Sequence, residues 1–218
     1  MVGLNFSKTK KILDRYNIPV CNEKFVQKKK EGLEFVNKVN SPVVLKIFSS
    51  EISHITDIGG LKKDIRNEEE FKKAWDDLIQ NIEKQNLTSK IEGFLVQEQI
   101  QGVELVIGMQ RSREFGPVVM FGLGGVMVEV LKDVSFGITP ISENEAKEMV
   151  KRIKSFQLLK EFRGRPAVNL EKVIEIIINT SKLALENKEV RSIDFNPVIA
   201  NNKKALVVDT SILYEKNK

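Results

Sequence analysis

The sequence predicts an α+β protein built as one domain of two lobes, because the spacing of its apolar residues changes partway along the chain. Before about residue 93, long segments carry apolar residues at the three- and four-residue spacing of amphipathic helices. After it, short apolar runs separated by tight turns are typical of closely spaced antiparallel strands. We therefore expect a single domain over residues 1–218, with a smaller lobe at about 20–93. The larger lobe is expected at about 94–218 and includes an N-terminal helix within 1–19.

The composition of the 218 residues is that of a globular protein. Apolar residues make up 41% and charged residues 30%, and no apolar run approaches the roughly 20 residues of a transmembrane helix. The N-terminal segment lacks the apolar stretch of a secretory signal, so we expect a cytoplasmic protein. Cys21 is the only cysteine, and with a single histidine there is no set of soft ligands for zinc. Any metal is therefore expected to be held by oxygen ligands.

The charge balance argues against nucleic acid and membranes as partners. The net charge of +5 arises from 35 basic residues set against 30 acidic ones. The one basic run, Lys28–Lys30, is followed at once by Glu31 and Glu34, which is typical of a solvated helix face. No basic stripe interleaved with aromatic residues follows it.

The first part of the chain predicts three helices and one strand. A helix over Ser7–Tyr16, with Ser7 as its N-cap, ends before Pro19, and a second covers Lys28–Val39. The apolar run Val43–Phe48 indicates a buried strand. A third helix begins after its N-cap Asn67, where three glutamates meet the positive end of the helix dipole. Its core stripe consists of Phe71, Ala74, Trp75, Leu78, Ile79 and Ile82.

Four strands are predicted next, at Phe94–Ile100, Val103–Gln110, Pro117–Phe121 and Val126–Leu131. The glycine-rich turn Gly122–Gly125 runs into the last of them. A dinucleotide-binding turn must open a helix, and a P-loop must end in Gly-Lys-Ser/Thr, so the sequence argues against both nucleotide folds. The turn is either a hairpin that needs special backbone angles or a loop whose amides approach phosphate oxygens.

The chain ends in two helices and a hairpin. The helices are predicted at Glu143–Phe156 and Leu170–Glu186, with Ser142 and Asn169 as N-caps, and the hairpin strands at Val190–Ile199 and Ala205–Asp209. Residues two apart on a strand share a face, so Asp194 and Asn196 point the same way and Asp209 can return beside them. Three such oxygen side chains suit Mg²⁺. The alternative is the ordinary polarity of a hairpin.

Two further residues have both a structural and a chemical interpretation. Lys46 is the one charge of its strand, and its ammonium either reaches solvent past a sheet edge or points into a cleft at phosphate. His54, the only histidine, precedes Asp57 and Gly59-Gly60. It is either a structural or surface residue, or a covalent phosphate carrier or proton-transfer group.

Six motifs in order carry a family resemblance that covers nearly the whole chain. They are VVLK at 43–46, SHITDIGG at 53–60, VQEQIQGVELVIGM at 96–109, FGPVVMFGLGGVMVEVLKDVSF at 115–136, FRGRPAV at 162–168 and IDFNPVI at 193–199. The set closely resembles the β subunit of ADP-forming (NDP-forming) acetyl-CoA or acyl-CoA synthetases, an ATP-grasp domain. The resemblance implies an ATP-grasp fold with a nucleotide cleft between its lobes, with ATP/ADP as substrate and Mg²⁺ as cofactor.

The resemblance also implies a role for each residue of the site. His54 would accept the phosphoryl group, and Asp194 would steady the histidine or its phosphate. Lys46 would bind the nucleotide phosphates, Gln97, Glu98 and Ile100 would lie beside adenine, and Glu104 would lie near the ribose. Asn196 and Asp209 would hold Mg²⁺. The glycine-rich phosphate loops would include Ser53, Gly59, Gly60, Gly122, Gly124 and Gly125, with Gly59-Gly60 as a hinge of the His54 loop.

By the same resemblance, the chain would work with a CoA-binding α subunit, as an α2β2 heterotetramer. The reaction would convert acyl-CoA, ADP and phosphate into the free acid, CoA and ATP. Three positions depart from the family pattern, with Ile55, Gln110 and Gly137 where cations are usual. They motivate one alternative, a regulatory ATP-grasp subunit that binds nucleotide without catalysis. A further alternative is an ATP-grasp ligase without a histidine intermediate.

Overall fold

The computed structural model describes residues 2–49, 51–52, 55–125, 132–161, 164 and 166–215. The chain forms two compact units, a smaller one over Cys21–Ile100 and a larger one made of the residues before and after it. The division falls after Ile100 and not near residue 93, because the strand that follows residue 93 pairs within the smaller unit. None of the helices in the described ranges is long and apolar enough to cross a membrane.

The smaller unit is a four-stranded antiparallel sheet with helices against it. Its strands lie in the order β2-β5-β3-β4. The elements are β2 (Glu23–Val26), α2 (Lys29–Val36), β3 (Val43–Phe48), β4 (Leu61–Ile65), α3 (Glu68–Lys84), a 3-10 turn (Thr88–Lys90) and β5 (Gly93–Glu98). The predicted cap and stripe of α3 are confirmed: Asn67 Oδ1 accepts from the Glu70 N–H, and Phe71 and Leu78 are fully buried in the core.

The larger unit contains seven described strands in one sheet, all paired antiparallel, with three helices. The path runs β1-β11-β9-β6-β7-β8, and β10 also pairs with β9. The strands are β1 (Val2–Gly3), β6 (Val103–Ser112), β7 (Gly116–Leu123), β8 (Val134–Ile138), β9 (Val190–Ala200), β10 (Ala205–Val207) and β11 (Thr210–Tyr214). The helices are α1 (Phe6–Arg15), α4 (Glu143–Arg152) and α5 (Leu170–Glu186), and a 3-10 segment covers Lys154–Leu159.

Three predicted helices differ in their boundaries from the structure. Helix α2 ends at Val36 and not at Val39, with Asn37 as its C-cap, and α1 and α4 differ for local reasons. The N-cap of α1 is Asn5 and not Ser7, because the Asn5 side chain accepts from the Lys8 N–H. Helix α4 ends at Arg152 and not at Phe156. The Asp133 carboxylate accepts from the backbone N–H groups of Lys154 and Ser155, which opens the 3-10 segment there.

The predicted run of four strands is wrong in its grouping. Strand β5 belongs to the smaller sheet, where it pairs with β2 and β3, and the antiparallel run of the larger unit starts at β6. An apolar run marks a strand but does not name its partner, since pairing depends on distant residues. The predicted strand Val126–Leu131 lies outside the described residues.

The two faces of the larger sheet have different surroundings. One face carries Leu105, Ile107, Phe121 and Phe195, which are completely buried in one core with residues of α4 and α5. The alternate residues of β6, β7 and β9 point to the other face, as the period of a strand requires. That second face carries the polar residues of the predicted site.

Candidate functional site

The C-terminal strands bring the predicted acidic and amide side chains together. Strands β10 and β11 pair with β9 in one continuous register, with Val207 opposite Val198 and Thr210 opposite Phe195. Asp209 lies at the break between them, so the same register places it opposite Asn196. Asp194 lies two residues before Asn196 on the same face of β9. The predicted juxtaposition of the three side chains is therefore present, and it is produced by the register and not by a simple hairpin.

Glu104 on β6 joins this cluster through Gly125. The backbone N–H of Gly125 donates to Oδ1 of Asn196 at 3.1 Å, which fixes the orientation of that amide. A Cβ on Gly125 would lie 2.2 Å from Oε2 of Glu104, and the residue has a φ of +61°. The positive φ makes any other residue strained at this position, and a side chain there would also displace the Glu104 carboxylate. Glu104, which is predicted near the ribose, and Asn196, which is predicted to hold the metal, therefore both lie next to Gly125.

The glycine-rich turn that was predicted as a phosphate loop has two of its backbone amides bound to protein acceptors. The Gly124 N–H donates to the Glu104 carbonyl at 2.8 Å, and the Gly125 N–H is held by Asn196. Gly122 lies inside β7, where a Cβ would approach the Asp133 carbonyl to 2.7 Å. The special-backbone interpretation of the turn therefore fits, because these amides serve protein acceptors and the glycines permit close backbone approach.

The surroundings of Asp194 perturb the ionisation of its carboxyl group. Its carboxylate is accessible at the floor of a groove, but partial desolvation by the surrounding sheet raises its pKa, and the negative charge of Asp209 raises it further. Two carboxylates on one face repel each other when no cation lies between them. The cluster therefore favours a bound cation.

We expect Asp194→Asn to raise the melting temperature of the ligand-free protein at pH 7, by on the order of 1 °C because solvent screens an accessible carboxylate. A carboxyl whose pKa is higher in the folded state contributes stability below its unfolded pKa and loses it as the pH rises through the folded pKa. The amide does not titrate, so the gain should shrink as the pH falls toward 3.8, the ordinary aspartate value. Thermal denaturation of both proteins at pH 7 and pH 4 measures this, and a variant less stable at pH 7 would contradict it.

The groove beside the cluster has a volume of about 430 Å³. Asp194 and Asn196 line one part of it, while Met120 and Phe136 supply apolar walls. Gln110, one of the three departures from the family pattern, also lines it. An acidic cluster next to an apolar groove can hold a cation and its anionic ligand at one end and an uncharged group at the other.

The donor set fits Mg²⁺ better than other common metals. Among the described residues, no group of three or more His, Cys, Asp and Glu side chains is placed to hold a metal ion. Asn196 and Asp209 provide one amide oxygen and one carboxylate oxygen. These two oxygens alone do not complete the coordination shell of a metal ion. Mg²⁺ is typically bound by one or two protein oxygens and completes its shell with water and phosphate oxygens.

The smaller unit places Lys46 in a buried charged group. Lys46 is 3% exposed on β3, an internal strand, so the interpretation in which its ammonium reaches solvent past an edge is wrong. The Cys21 thiol interacts electrostatically with Lys46, Glu23 and Glu98. Burial of the thiol is the main cause that raises its pKa to about 12, and the negative charge of Glu23 is the second. The thiol therefore stays protonated at neutral pH, and the charges that act on it are the Glu23 and Glu98 carboxylates and the Lys46 ammonium.

The residues predicted beside adenine lie on β5 or directly after it. Gln97 is 1% exposed and donates through Nε2 to the Glu23 carboxylate at 2.5 Å. Glu98 ends the strand, and its N–H donates to the Asn22 carbonyl. Ile100 is buried at the end of the unit. Sequence reasoning missed Glu23, because a glutamate at the start of a short strand has no distinguishing local pattern.

Ser53 and His54 lie outside the described residues, and the segment that follows them forms a hydrogen-bonded turn. The Gly60 N–H donates to the Ile55 carbonyl at 2.7 Å, and the Gly59 N–H donates to the Thr56 carbonyl. Ile55 and Ile58 pack against the core of the smaller unit. These amides are engaged within the turn, so the geometry assigns Gly59 and Gly60 to a fixed turn and does not favour the predicted hinge or phosphate-donor roles.

The two-sheet architecture and this cluster match one class of nucleotide-dependent proteins. The chain matches the ATP-grasp domain family over residues 3–213. It is 39% identical to the β subunit of ADP-forming acetate–CoA ligase I from Pyrococcus furiosus, over 94% of this chain and 89% of that subunit. It is 38% identical to ADP-forming acetate–CoA ligase I from Archaeoglobus fulgidus, over 91% of this chain and 29% of that protein.

Solved structures give the same relationship. Acetyl-coenzyme A synthetase 1 of Ca. Korarchaeum cryptofilum, in complex with coenzyme A and Ca-AMPCP, superimposes with a TM-score of 0.92 at 42% identity, covering 98% of this chain and 94% of that one. A second structure of that enzyme contains coenzyme A and Mg-AMPPCP, and its phosphohistidine segment points towards the nucleotide-binding site. Its TM-score is 0.83 at 39% identity, and the match covers 98% of this chain and 93% of that one. The chain is an ATP-grasp protein, and it belongs to the family of β subunits of ADP-forming acetate–CoA ligases.

Proposed function

We propose that this chain transfers a phosphoryl group between His54 and Mg-nucleotide, as the nucleotide-handling part of an ADP-forming acyl-CoA synthetase. The whole enzyme would convert acyl-CoA, ADP and phosphate into the free acid, CoA and ATP. The observation that carries the proposal is the meeting of Asp194, Asn196 and Asp209 on one open face, in a chain that matches an ADP-forming ligase subunit over 94% of its length. The cytoplasmic location expected from the sequence stays a prediction.

The residues divide the chemistry between charge neutralisation and nucleophilic attack. A neutral imidazole nitrogen of His54 would attack the γ-phosphorus of ATP, so that a P–N bond forms while the bond to the ADP oxygen breaks, and the reverse step would make ATP. Asn196 and Asp209 would hold Mg²⁺, which neutralises charge on the phosphate oxygens. Lys46 would bind those phosphates, and Glu104 would contact the ribose. Asp194 would hold a proton of the imidazole or orient it.

The remaining chemistry requires a partner. The chain covers most of a protein named as a β subunit, but only 29% of the longer A. fulgidus ligase. We therefore assign the acyl and CoA steps to a CoA-binding α subunit, and the expected assembly is α2β2. The α subunit would therefore determine which acyl acid the enzyme uses, and the residues described above would not.

Reconstitution with a candidate α subunit tests the proposal. The purified pair is supplied with acetyl-CoA, ADP, phosphate and Mg²⁺, and ATP formation is followed together with release of free CoA. Each chain alone serves as the control, and neither should turn over. ATP formation from other acyl-CoA thioesters then defines the acid. A pair that binds Mg-ATP but forms no ATP from any thioester would favour the regulatory alternative.

A further inference from the structure

The carbonyl of Ile58, four residues after His54, is held by two side-chain amides of helix α3. Asn81 Nδ2 donates to it at 2.5 Å and Gln85 Nε2 at 2.9 Å. A carbonyl oxygen has two lone pairs, so two donors satisfy it and fix its direction. Nothing in the helical pattern of α3 distinguishes these two residues, and sequence reasoning did not find them.

The orientation of the Asn81 amide is itself determined. Gln85 Nε2 also donates to Oδ1 of Asn81 at 3.0 Å, so the amide must present its nitrogen, and not its oxygen, to Ile58. Asn81 and Gln85 lie one turn apart on α3, which brings their side chains together. The three groups form a closed hydrogen-bonded network, which we call the Ile58 clamp: the Ile58 carbonyl with the side chains of Asn81 and Gln85.

The backbone after Ile58 is shaped to fit this clamp. Gly59 has a φ of +64°, and a Cβ there would lie 2.8 Å from Asn81 Nδ2. A Cβ on Gly60 would lie 2.9 Å from the Ile55 carbonyl. Glycine is therefore favoured at position 59 by the left-handed conformation and at position 60 by the close approach of the Ile55 carbonyl. The same segment packs Ile55 and Ile58 against the core of the smaller unit.

The segment before His54 is also anchored. Ser49 Oγ donates to the Lys90 carbonyl at 2.7 Å and accepts from the backbone N–H groups of Glu51 and Ile52. Ile52 packs against the same core. These contacts hold the backbone at Ile52, two residues before position 54, and at Ile58, four residues after it. The Ile58 clamp is the contact that is made by side-chain amides.

We propose that Asn81 and Gln85 are positioning residues for His54, because they fix the backbone at Ile58, four residues after it. The inference rests on the proposed phosphoryl-carrier function of His54. Neither residue need touch nucleotide, because both act through the Ile58 carbonyl. A misplacement of about 1 Å at a reacting group costs up to about a hundredfold in rate. The clamp should therefore affect the rate of phosphoryl transfer and leave nucleotide affinity unchanged.

The test compares Asn81→Asp with Gln80→Glu. Asn81→Asp keeps the size of the side chain but removes the donor to Ile58, while Gln80→Glu makes the same amide-to-carboxylate change at the adjacent, exposed position of α3. Single-turnover labelling with γ-labelled ATP and Mg²⁺ gives the rate of His54 phosphorylation, and calorimetry gives the affinity for Mg-ADP. We expect Asn81→Asp to slow labelling about ten- to a hundredfold with an affinity within about twofold, and Gln80→Glu to behave as the unaltered protein.

Each other outcome has a distinct meaning. Equal labelling rates for Asn81→Asp and the unaltered protein would show that the clamp does not position the histidine. A parallel loss of nucleotide affinity would assign Asn81 a general structural role instead. Absence of label in the unaltered protein would refute the proposed function itself. If Asn81→Asp does not fold, Gln85→Leu removes the second donor at an exposed position, and an unchanged labelling rate for that folded variant overturns the proposal.

Discussion

His54→Ala is expected to abolish phosphoryl transfer to the protein, with a loss of about a thousandfold or more because the nucleophile of a covalent mechanism cannot be bypassed. The chain has one histidine, so any phosphohistidine must be at position 54. The measurement is incubation with γ-labelled ATP, Mg²⁺ and the candidate α subunit, followed by separation of the chains and a count of acid-labile, base-stable label on this one.

The control for this experiment is the affinity for Mg-ADP, which the His54→Ala protein should retain. Retained affinity shows that the nucleotide site is intact when the label is lost. Label that persists on the variant chain would remove His54 from the reaction. Product formation that persists without label would favour an ATP-grasp ligase that uses no histidine intermediate.

Asp209→Ala should weaken the binding of Mg-nucleotide at least about tenfold, which is about 1.4 kcal/mol. The carboxylate lies opposite Asn196 in the register of β9, and its loss would leave the proposed metal with one protein oxygen. Calorimetric titration with Mg-ADP measures the effect. The same titration in the presence of a chelator should show little difference between the proteins, because the lost contact is to the metal.

Ser211→Ala provides a matched control for the metal prediction. Ser211 is exposed on β11 and lies opposite Asp194, so the change alters the neighbouring position without removing a charge. Its affinity for Mg-ADP should equal that of the unaltered protein. If Asp209→Ala has the same affinity as this control, Asp209 is not a metal ligand.

The periodicity of apolar residues in the sequence was sufficient to predict those helices that are stabilised by local interactions. Helix α3 begins where Asn67 and its glutamates predict, and α5 covers the predicted Leu170–Glu186. Strand grouping was not accessible in this way. β5 joins the smaller sheet, and β11 continues the register of β10 after a break at Asp209, because both depend on partners far away in the chain.

The site was predictable where family motifs and strand period agree. Asp194 and Asn196 were placed on one face by the two-residue period, and the register adds Asp209. Of the two interpretations left open for the glycine-rich turn, the structure fits the one with special backbone angles, since the Gly124 and Gly125 amides bind protein acceptors. The Ile58 clamp could not be predicted, because the contact joins residues 23 positions apart through side-chain amides.

Two of the three departures from the family pattern have structural explanations. Position 137 faces α4, where a Cβ would approach Met149 Sδ to 2.5 Å, so a long side chain there would not reach the groove on the other face. Ile55 packs against the core of the smaller unit. Gln110 alone lines the groove. The departures therefore give less support to a non-catalytic subunit than the sequence suggested.

The pairing of β1 with β11 sets an order for biosynthesis. The smaller unit is one continuous stretch, Cys21–Ile100, so a ribosome completes it before most of the larger unit exists. The larger sheet joins Val2 and Gly3 of β1 to Tyr214 and Leu213 of β11, which lie on the far side of the whole smaller unit in the sequence. Strand β1 therefore has no partner until β11 has been translated. Truncations that remove β11 should consequently expose β1 to proteases while sparing the smaller unit.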